Sequence, residues 1–417
     1  MPGFELKKRT FINSNHLQLP FMNILVINAG SSSLKYQLFR MPVKEAVCSG
    51  LVERIGIEGS FIKHVINFGD EKKTIEKELF IANHGDGLKQ LFLMLAHPGH
   101  AVIDSPDDIA AVGHRVVHGG EHFSGATLIT PEVKKQIKDL FSLAPLHNPV
   151  HYKCIEVAEQ TFPLAKQIAV FDTAFHQSLP EEAYRFAIPE YYYKEHGMRV
   201  YGFHGTSHKY VSEHAIKWLG KPDAKLISIH LGNGCSMAAI KDGKSIDTSM
   251  GFGPLSGLMM GTRSGDIDPS VILHLMEHAG YTLEQLSTLL NKQSGLLGVG
   301  GSSDMRDIRK LVEQGNEEAT LALKIYAYRI KKFIGSYAAV LNGLDAILFT
   351  AGVGENDTAM REAVCREMDY LNIVMDPQKN TSYKGEIMDI STPSSKVKIL
   401  VVPTNEEFEI ASQCYAM

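Results

Sequence analysis

The sequence predicts an α/β fold in which one structural unit occurs twice, giving a chain of two sizeable domains. Three observations predict it. A strand, a small-residue turn and a second strand occur as Ile24-Leu-Val-Ile-Asn-Ala-Gly-Ser-Ser-Ser-Leu-Lys-Tyr-Gln-Leu-Phe39 and again as Leu226-Ile-Ser-Ile-His-Leu-Gly-Asn-Gly-Cys-Ser-Met-Ala-Ala-Ile240, and such repetition marks a duplicated fold. Between and after the two copies, apolar strand patterns alternate with helical ones, as they do in α/β proteins. The chain has 417 residues, more than one hydrophobic core serves at roughly 100 to 200 residues per domain.

In chain order, the first 21 residues contain Lys7-Lys8-Arg9 followed by Phe-Ile-Asn-Ser-Asn-His, too polar for the apolar core of a signal peptide. They are expected to form a disordered extension, with Met22 opening the folded part. The first hairpin follows, its tip at Asn28 to Ser33. Strands are expected over 109–117 and 167–171, and helices over 131–143, 150–161 and 208–219. The second hairpin continues through an Asp242-Gly243 turn, a pair suited to the positive φ of a tight β-turn. Further helices are expected over 269–279, 283–292, 305–313 and 317–341, and a buried strand over 345–350. A last strand over 398–402 precedes a helix over 405–415. No low-complexity linker separates the halves, so the duplication places the boundary near residue 172.

With 44% hydrophobic and 21% charged residues the composition is that of an ordinary globular protein. The net charge of −5 comes from 42 basic and 47 acidic residues spread along the chain, so no basic face is offered to a nucleic-acid backbone. Apolar runs such as 91–96 and 346–350 fall far short of the roughly 20 residues of a membrane span. The five cysteines, Cys48, Cys154, Cys235, Cys365 and Cys414, are far apart and free of CxxC pairing. They are expected to be reduced thiols in a cytoplasmic protein.

Neither the P-loop pattern nor a strand-linked dinucleotide fingerprint occurs. A nucleotide would have to be held by other loops: the two hairpin tips, Asn28 to Ser33 and Gly232 to Ser236, and the segment Gly352-Val-Gly-Glu-Asn356. Glycine and serine there let backbone N–H groups and hydroxyls approach phosphate oxygens. One glycine turn is more often only a turn; three in one duplicated fold carry the reading. Lys35 points the same way as Ser33 from its strand and either reaches a phosphate or is an exposed strand lysine. Arg115 in Gly-His-Arg-Val-Val-His-Gly-Gly and Arg263 in Gly-Thr-Arg-Ser-Gly-Asp sit among glycines, and guanidinium forks suit carboxylate and phosphate oxygens. Asp172 follows the run Ile168-Ala-Val-Phe, at the strand end where α/β sheets place ligands, although many such aspartates only cap a turn. His204 and His208 invite a metal reading, but Gly205 intervenes and no HExxH pattern is present. A phosphate-stabilising His204 is the better use.

Together these segments resemble the acetokinase family, part of the larger group that shares a duplicated ribonuclease-H-like fold with actin, hexokinase and the Hsp70 ATPase domain. The likeness runs from Met22 to the C-terminus, through Asn28-Ala-Gly-Ser-Ser-Ser-Leu-Lys35, Gly113-His-Arg-Val-Val-His-Gly-Gly120, Phe171-Asp-Thr-Ala-Phe-His176, Tyr201-Gly-Phe-His-Gly-Thr-Ser-His208 and His230-Leu-Gly-Asn-Gly234. It continues through Gly261-Thr-Arg-Ser-Gly-Asp266, Ser303-Asp-Met-Arg306, Gly352-Val-Gly-Glu-Asn356 and Pro403-Thr-Asn-Glu-Glu407. The resemblance implies a first domain over 22–172, completed by a C-terminal helix 405–417, and a second over 173–404, with the active site in the cleft between them.

The implied reaction is reversible, Mg²⁺-dependent, in-line transfer of the ATP γ-phosphoryl group to acetate, giving acetyl phosphate and ADP; Mn²⁺ is an alternative metal. Asn28 and Glu406 are implied as the metal site, a pairing that suits a hard cation retaining waters. Lys35, His230, Leu231, Gly232, Asn233, Gly234, Asp304, Met305, Arg306, Gly352, Val353, Gly354, Glu355 and Asn356 are implied as ATP contacts. Arg115 is implied as the substrate-carboxylate anchor, Val117, Leu146, Phe203 and Pro254 as a small acyl pocket, and Asp172, His204 and Arg263 as the catalytic residues. A carboxylate nucleophile is already ionised at neutral pH, so Asp172 is expected to orient Arg115 or the metal rather than abstract a proton. The family also implies a cytoplasmic homodimer. The sequence departs from the family in Met305, where an aromatic residue is common, and in the residues before Met22. A propionate or other short-chain acyl kinase is the alternative within enzymes, and a non-catalytic nucleotide-switch module the alternative outside them.

Overall fold

The computed structural model describes residues 21–30, 32–69 and 71–417. All of the expected N-terminal extension except Phe21 lies outside the described residues, as does Ser31 in the first hairpin tip.

Two mixed sheets organise the chain. The first is built from β1 (Met22–Ala29), β2 (Ser33–Met41), β3 (Ala46–Glu53), β4 (Phe61–Phe68), β5 (Glu71–Glu78), β6 (Ala111–Val116), β7 (Thr127–Leu128) and β8 (Lys166–Phe171), in the order β5-β4-β3-β2-β1-β6-β8-β7. The second contains β9 (Lys225–Leu231), β10 (Cys235–Lys241), β11 (Lys244–Thr248), β12 (Ala346–Thr350), β13 (Met388–Asp389) and β14 (Lys398–Val401), in the order β11-β10-β9-β12-β14-β13. In each, the opening strand is antiparallel to the next and parallel to a later one across a crossover: β1 with β2 and β6, β9 with β10 and β12. The sub-orders β3-β2-β1-β6-β8-β7 and β11-β10-β9-β12-β14-β13 coincide in position and direction. The repeat seen in the two hairpins is therefore a repeat of topology.

The central strands are buried on both faces and read as continuous apolar runs, with every residue of β12 and all but Lys225 of β9 inside. The β4–β5 extension has no counterpart in the second sheet. Its outer strand, Glu-Lys-Lys-Thr-Ile-Glu-Lys-Glu, is mostly exposed, and its charges keep a free edge from pairing with other chains. Between β10 and β11, Asp242 and Gly243 take φ of 53° and 72°, the primed turn the sequence indicates.

Helices cover both sheets. Glu317–Val340 lays Ala319, Ala322, Leu323, Tyr326, Ile330, Ile334 and Tyr337 on the core of the second half at helical spacing. The last helix, Glu406–Tyr415, leaves β14 and returns to the first sheet, packing on β1, β2 and β6 with Ile410, Ala411 and Cys414 buried against Ile24, Val26 and Ile168. Gly113 permits that approach, because a Cβ there would lie 2.7 Å from Ile410 Cγ2 and 2.9 Å from Cys414 Sγ.

Several expected bounds shift. The helix expected over 131–143 is Pro131–Asp139, followed by a 3-10 turn, Leu140–Ser142. The helix expected from residue 208 begins at Gly205, because His204 adopts a left-handed conformation, φ 55°, and serves as its N-cap. The segment after β12, read as a loop, is a short helix, Ala351–Asn356, entered through Ala351 at φ 63°. No described helix is long and apolar enough to cross a membrane.

Candidate active site

The strand ends of the two sheets meet around a cavity of about 390 Å³. Asn28 at the end of β1 and its cross-strand partner Lys35 on β2 form one wall. Arg115 near the end of β6 and Asp172 just past β8 form the next, at the carboxyl ends of parallel strands. Phe203, His204, Gly234, Pro254 and Arg263 complete it from the second half, with Val117 from the first.

Arg115 is held rigidly. Its Nε and Nη2 donate to Asp172 Oδ1 and Oδ2 at 2.9 and 2.6 Å, and its Nη1 donates to Asn28 Oδ1 at 3.1 Å. Asp172 is 1% exposed, so this two-point ion pair is shielded on its carboxylate side while the guanidinium meets the cavity. Burial opposes the Arg115 charge, but Asp172 and Glu406 beside it hold the guanidinium protonated.

The backbones of Asp172 and His204 are tied as well. Gly205 N–H donates to Asp172 O at 2.8 Å, and a side chain at Gly205 would run into that carbonyl. This contact fixes the left-handed His204, an uncommon state for a residue with a Cβ. The His204 ring stacks on His230 with centroids 4.3 Å apart. Burial first, then His230 and Arg115, hold the His204 imidazole neutral, with its pKa well below the ordinary value.

Arg263 Nη1 donates to Pro254 O at 3.0 Å, which leaves most of its fork for the cavity. Val117 and Phe203 are buried and, with Pro254, give the cavity an apolar end. Leu146 departs from the expected pocket: its side chain is 60% exposed and does not line the cavity, while its neighbour His147 does. Gly30 and Ser33, from the first hairpin tip, line the cavity as that tip was expected to, while His147 is a lining residue that the sequence did not single out. His147 stands immediately before helix Asn148–Thr161, in a Pro-Leu-His-Asn-Pro stretch with no pattern that marks it as a site residue.

Glu406 opens the C-terminal helix beside this cavity without lining it. Burial pushes its carboxyl up to about 7; Arg115 and Lys35 oppose the shift, and Asp172 and Glu407 add to it. No group of three or more His, Cys, Asp or Glu side chains among the described residues is arranged to hold a metal.

A larger cleft of about 1060 Å³ continues from the second hairpin tip. Gly232, Asn233, Asp304, Met305, Arg306, Gly352, Val353 and Asn356 line it. Met305 is buried in its floor, and Arg306 folds back on Asp304 at 3.0 and 2.6 Å. Other expected contacts point elsewhere. Leu231 is wholly buried in the core of the second half, Gly354 packs against Phe349, and Glu355 Oε1 accepts the Thr404 N–H at 3.2 Å. His230, also expected as an ATP contact, lines neither cavity; it stacks on His204 and bonds through Nδ1 to Ser207 Oγ at 2.8 Å.

The chain is thus a duplicated two-domain α/β protein with a positively charged cavity at the meeting strand ends and a larger cleft leading from it. Within that class it belongs to the acetokinase family, whose model matches residues 23–412. It is 56% identical to an acetate kinase of Flavobacterium johnsoniae over 396 residues, 95% of this chain and 99% of that one. An acetate kinase of Caldicellulosiruptor saccharolyticus is 52% identical, covering 94% and 98%. Among solved structures, acetate kinase of Porphyromonas gingivalis superposes with a TM-score of 0.88 at 47% identity over 94% of this chain and 98% of that one. A propionate kinase of Francisella tularensis reaches 0.87 at 42% identity, with the same coverage.

Proposed function

We propose that the chain transfers the γ-phosphoryl group of ATP reversibly to acetate, giving acetyl phosphate and ADP by direct in-line attack. The observation that carries the reading is the Arg115–Asp172 pair facing Arg263 and His204 across a small cavity with an apolar end. A nucleotide clamp alone has no use for a second anion-binding arginine held by a buried aspartate.

Arg115 binds the substrate carboxylate, and Val117, Phe203 and Pro254 enclose its methyl group. Lys35, Arg263 and the His204 N–H surround the phosphoryl group in transit, where protein catalysis consists of placement and positive charge. Asp172 orients Arg115. The larger cleft takes the adenosine between Asp304–Arg306 and Gly352–Asn356.

Asn28 Oδ1 and the Glu406 carboxylate are the oxygen donors for Mg²⁺, the remaining positions falling to water and phosphate oxygens. The half-buried Glu406 carboxyl is raised by burial and by the neighbouring Asp172 and Glu407, and Arg115 and Lys35 offset this only in part, which supports a further cation beside it. When bound, the metal supplies charge neutralisation between the phosphates. The packing of helix Glu406–Tyr415 on the first sheet supports dividing the chain into 22–172 plus that helix, and 173–404.

Homodimer formation is supported by helix Pro269–His278, which has no buried residue although it carries Val271, Leu273 and Met276. Five free, buried cysteines fit a reducing cytoplasm. The Francisella tularensis relative gives propionate a place as second substrate. Hydroxylamine trapping of acyl phosphate with MgATP and acetate, propionate or butyrate in separate tubes tests the function. Strong acetyl hydroxamate is expected; no product from any acid overturns the reading.

A further inference from the structure

Behind His204, away from the cavity, a chain of side chains enters the core of the second sheet. His204 Nδ1 lies 2.9 Å from Ser236 Oγ, Ser236 Oγ lies 2.7 Å from His208 Nε2, and His208 Nδ1 lies 2.8 Å from Ser228 Oγ. Ser236, His208 and Ser228 are wholly buried. Burial, reinforced by the neighbouring histidines, keeps both imidazoles neutral.

A neutral imidazole has one N–H and one lone pair, so each link in the chain has a direction. The inner end sets it. Ser228 Oγ has His208 as its one hydrogen-bond partner among the described residues, and a buried O–H without an acceptor is costly. Ser228 therefore donates to His208 Nδ1, and His208 donates from Nε2 to Ser236. The single Ser236 hydroxyl proton then goes to His204 Nδ1, which leaves the His204 proton on Nε2.

We propose that Ser228, His208 and Ser236 form a positioning chain that fixes His204 as its Nε2–H tautomer, so that a neutral ring presents a donor to the phosphoryl group. The inference rests on the reading of His204 as a group that faces the phosphoryl. The other tautomer would turn a lone pair toward phosphate oxygens and repel them. His230 offers the contrast. Its Nδ1 bonds Ser207, which bonds Thr404 Oγ1 at 2.9 Å, but Thr404 is half-buried and water can accept its proton, so no end of that chain is fixed.

The test is long-range ¹H–¹⁵N correlation spectroscopy on enzyme labelled at histidine, with the His204 signals identified by their loss in His204→Gln. In the wild type the Nε2–H pattern is expected. Ser236→Ala should move His204 toward the Nδ1–H pattern and lower kcat about tenfold, with KM for acetate and ATP within about twofold. Ser228→Ala, at the far end, should show the same tautomer shift with a smaller loss, and Ser236→Thr, which keeps the hydroxyl, should restore both. A wild-type His204 protonated on Nδ1, or an unchanged tautomer in both alanine variants, overturns the chain. If a variant fails to fold, the wild-type spectrum still decides. The spectrum also separates this inference from the function: absence of acyl phosphate would remove the kinase reading with the tautomer still measured, whereas an active wild type carrying Nδ1–H would sink the chain alone.

Discussion

Arg115 and Asp172 face each other through both carboxylate oxygens, at 2.9 and 2.6 Å, with Asn28 taking a third guanidinium N–H at 3.1 Å. Both carboxylate oxygens accept from the guanidinium and the aspartate is 1% exposed, and a carboxylate substrate, already ionised at neutral pH, has no proton that needs removing. Asp172→Asn would place an amide N–H against one arginine N–H and turn the fork. The expected result is an acetate KM raised about tenfold and kcat lowered about 10²-fold. A variant with normal acetate KM would mean that Asp172 does not orient the anchor.

Among the described residues, the hydrogen bonds of Arg263 all leave from Nη1, to the Pro254 carbonyl at 3.0 Å and the Met260 sulfur at 3.9 Å, so its Nε and Nη2 are available to charge that develops in transit. Arg263→Ala should fold and lose about 10²-fold or more in kcat. Added guanidinium should recover part of the rate if the charge itself matters. Near-normal turnover in the alanine variant would remove the role.

In the proposed function the apolar end of the cavity limits the length of the acyl chain. Val117 and Phe203 are both buried, and Val117→Ala opens room for about one further methylene. The kcat/KM ratio of propionate to acetate should rise by about tenfold, within the ~1 to 3 kcal/mol such a group is worth. Leu146→Ala should leave that ratio unchanged, since the side chain stands in solvent. A ratio that answers to Leu146 and not to Val117 would reverse the assignment.

The fold was legible where the sequence repeats itself. The two hairpins, the Asp242-Gly243 turn and the all-apolar β12 carry local signals strong enough to place the central strands of both sheets. The β4–β5 extension was not legible, because Glu71–Glu78 is a charged, exposed edge strand with no apolar alternation. Arg115, Asp172, His204 and Arg263 were visible as polar residues out of place among glycines and strand ends. His147 was not, since a lone histidine before a helix carries no periodic signal. The direction of the serine–histidine chain is a property of three-dimensional neighbours on β9, β10 and helix Gly205–Leu219, and spacing along the sequence does not encode it.

Buried histidines give the fold an acid limit. Burial lowers His114, His118 and His176 to about 4 and His151 to about 3, from 6.5. The unfolded chain takes up these protons as pH falls below 6.5, while the folded protein refuses them until about 4. Their contribution to stability is therefore whole above pH 6.5 and lost on going down to 4, at about 1.4 kcal/mol per pH unit for each histidine. Urea unfolding should give a nearly constant free energy from pH 8 to 7 and a steep fall between 6 and 5, a window in which most carboxylates have finished titrating. A flat profile down to pH 5 would contradict the burial of these rings as neutral groups.

Arg361 is wholly buried, and its hydrogen bonds among the described residues go to an amide and to backbone carbonyls, with the Asp357 charge nearby. Its Nε and Nη2 donate to Asn380 Oδ1 and O at 2.7 and 2.9 Å, and Nη1 donates to the carbonyls of Gly354 and Glu355 at 2.9 and 2.7 Å. Those carbonyls belong to the short helix Ala351–Asn356, whose residues Gly352, Val353 and Asn356 line the larger cleft. The arginine thus anchors the turn that lines the larger cleft, the proposed nucleotide site, and it does not line the smaller cavity. Arg361→Met removes four hydrogen bonds and should cost about 3 to 5 kcal/mol of stability, as loss of a buried charged partner does. In the fraction that folds, ATP KM should rise severalfold with acetate KM unchanged. Asn380→Ala, which removes one of these partners and keeps the charge, should show the same asymmetry at smaller cost. Equal changes in both KM values would mean that Arg361 supports the whole second half rather than its nucleotide turn.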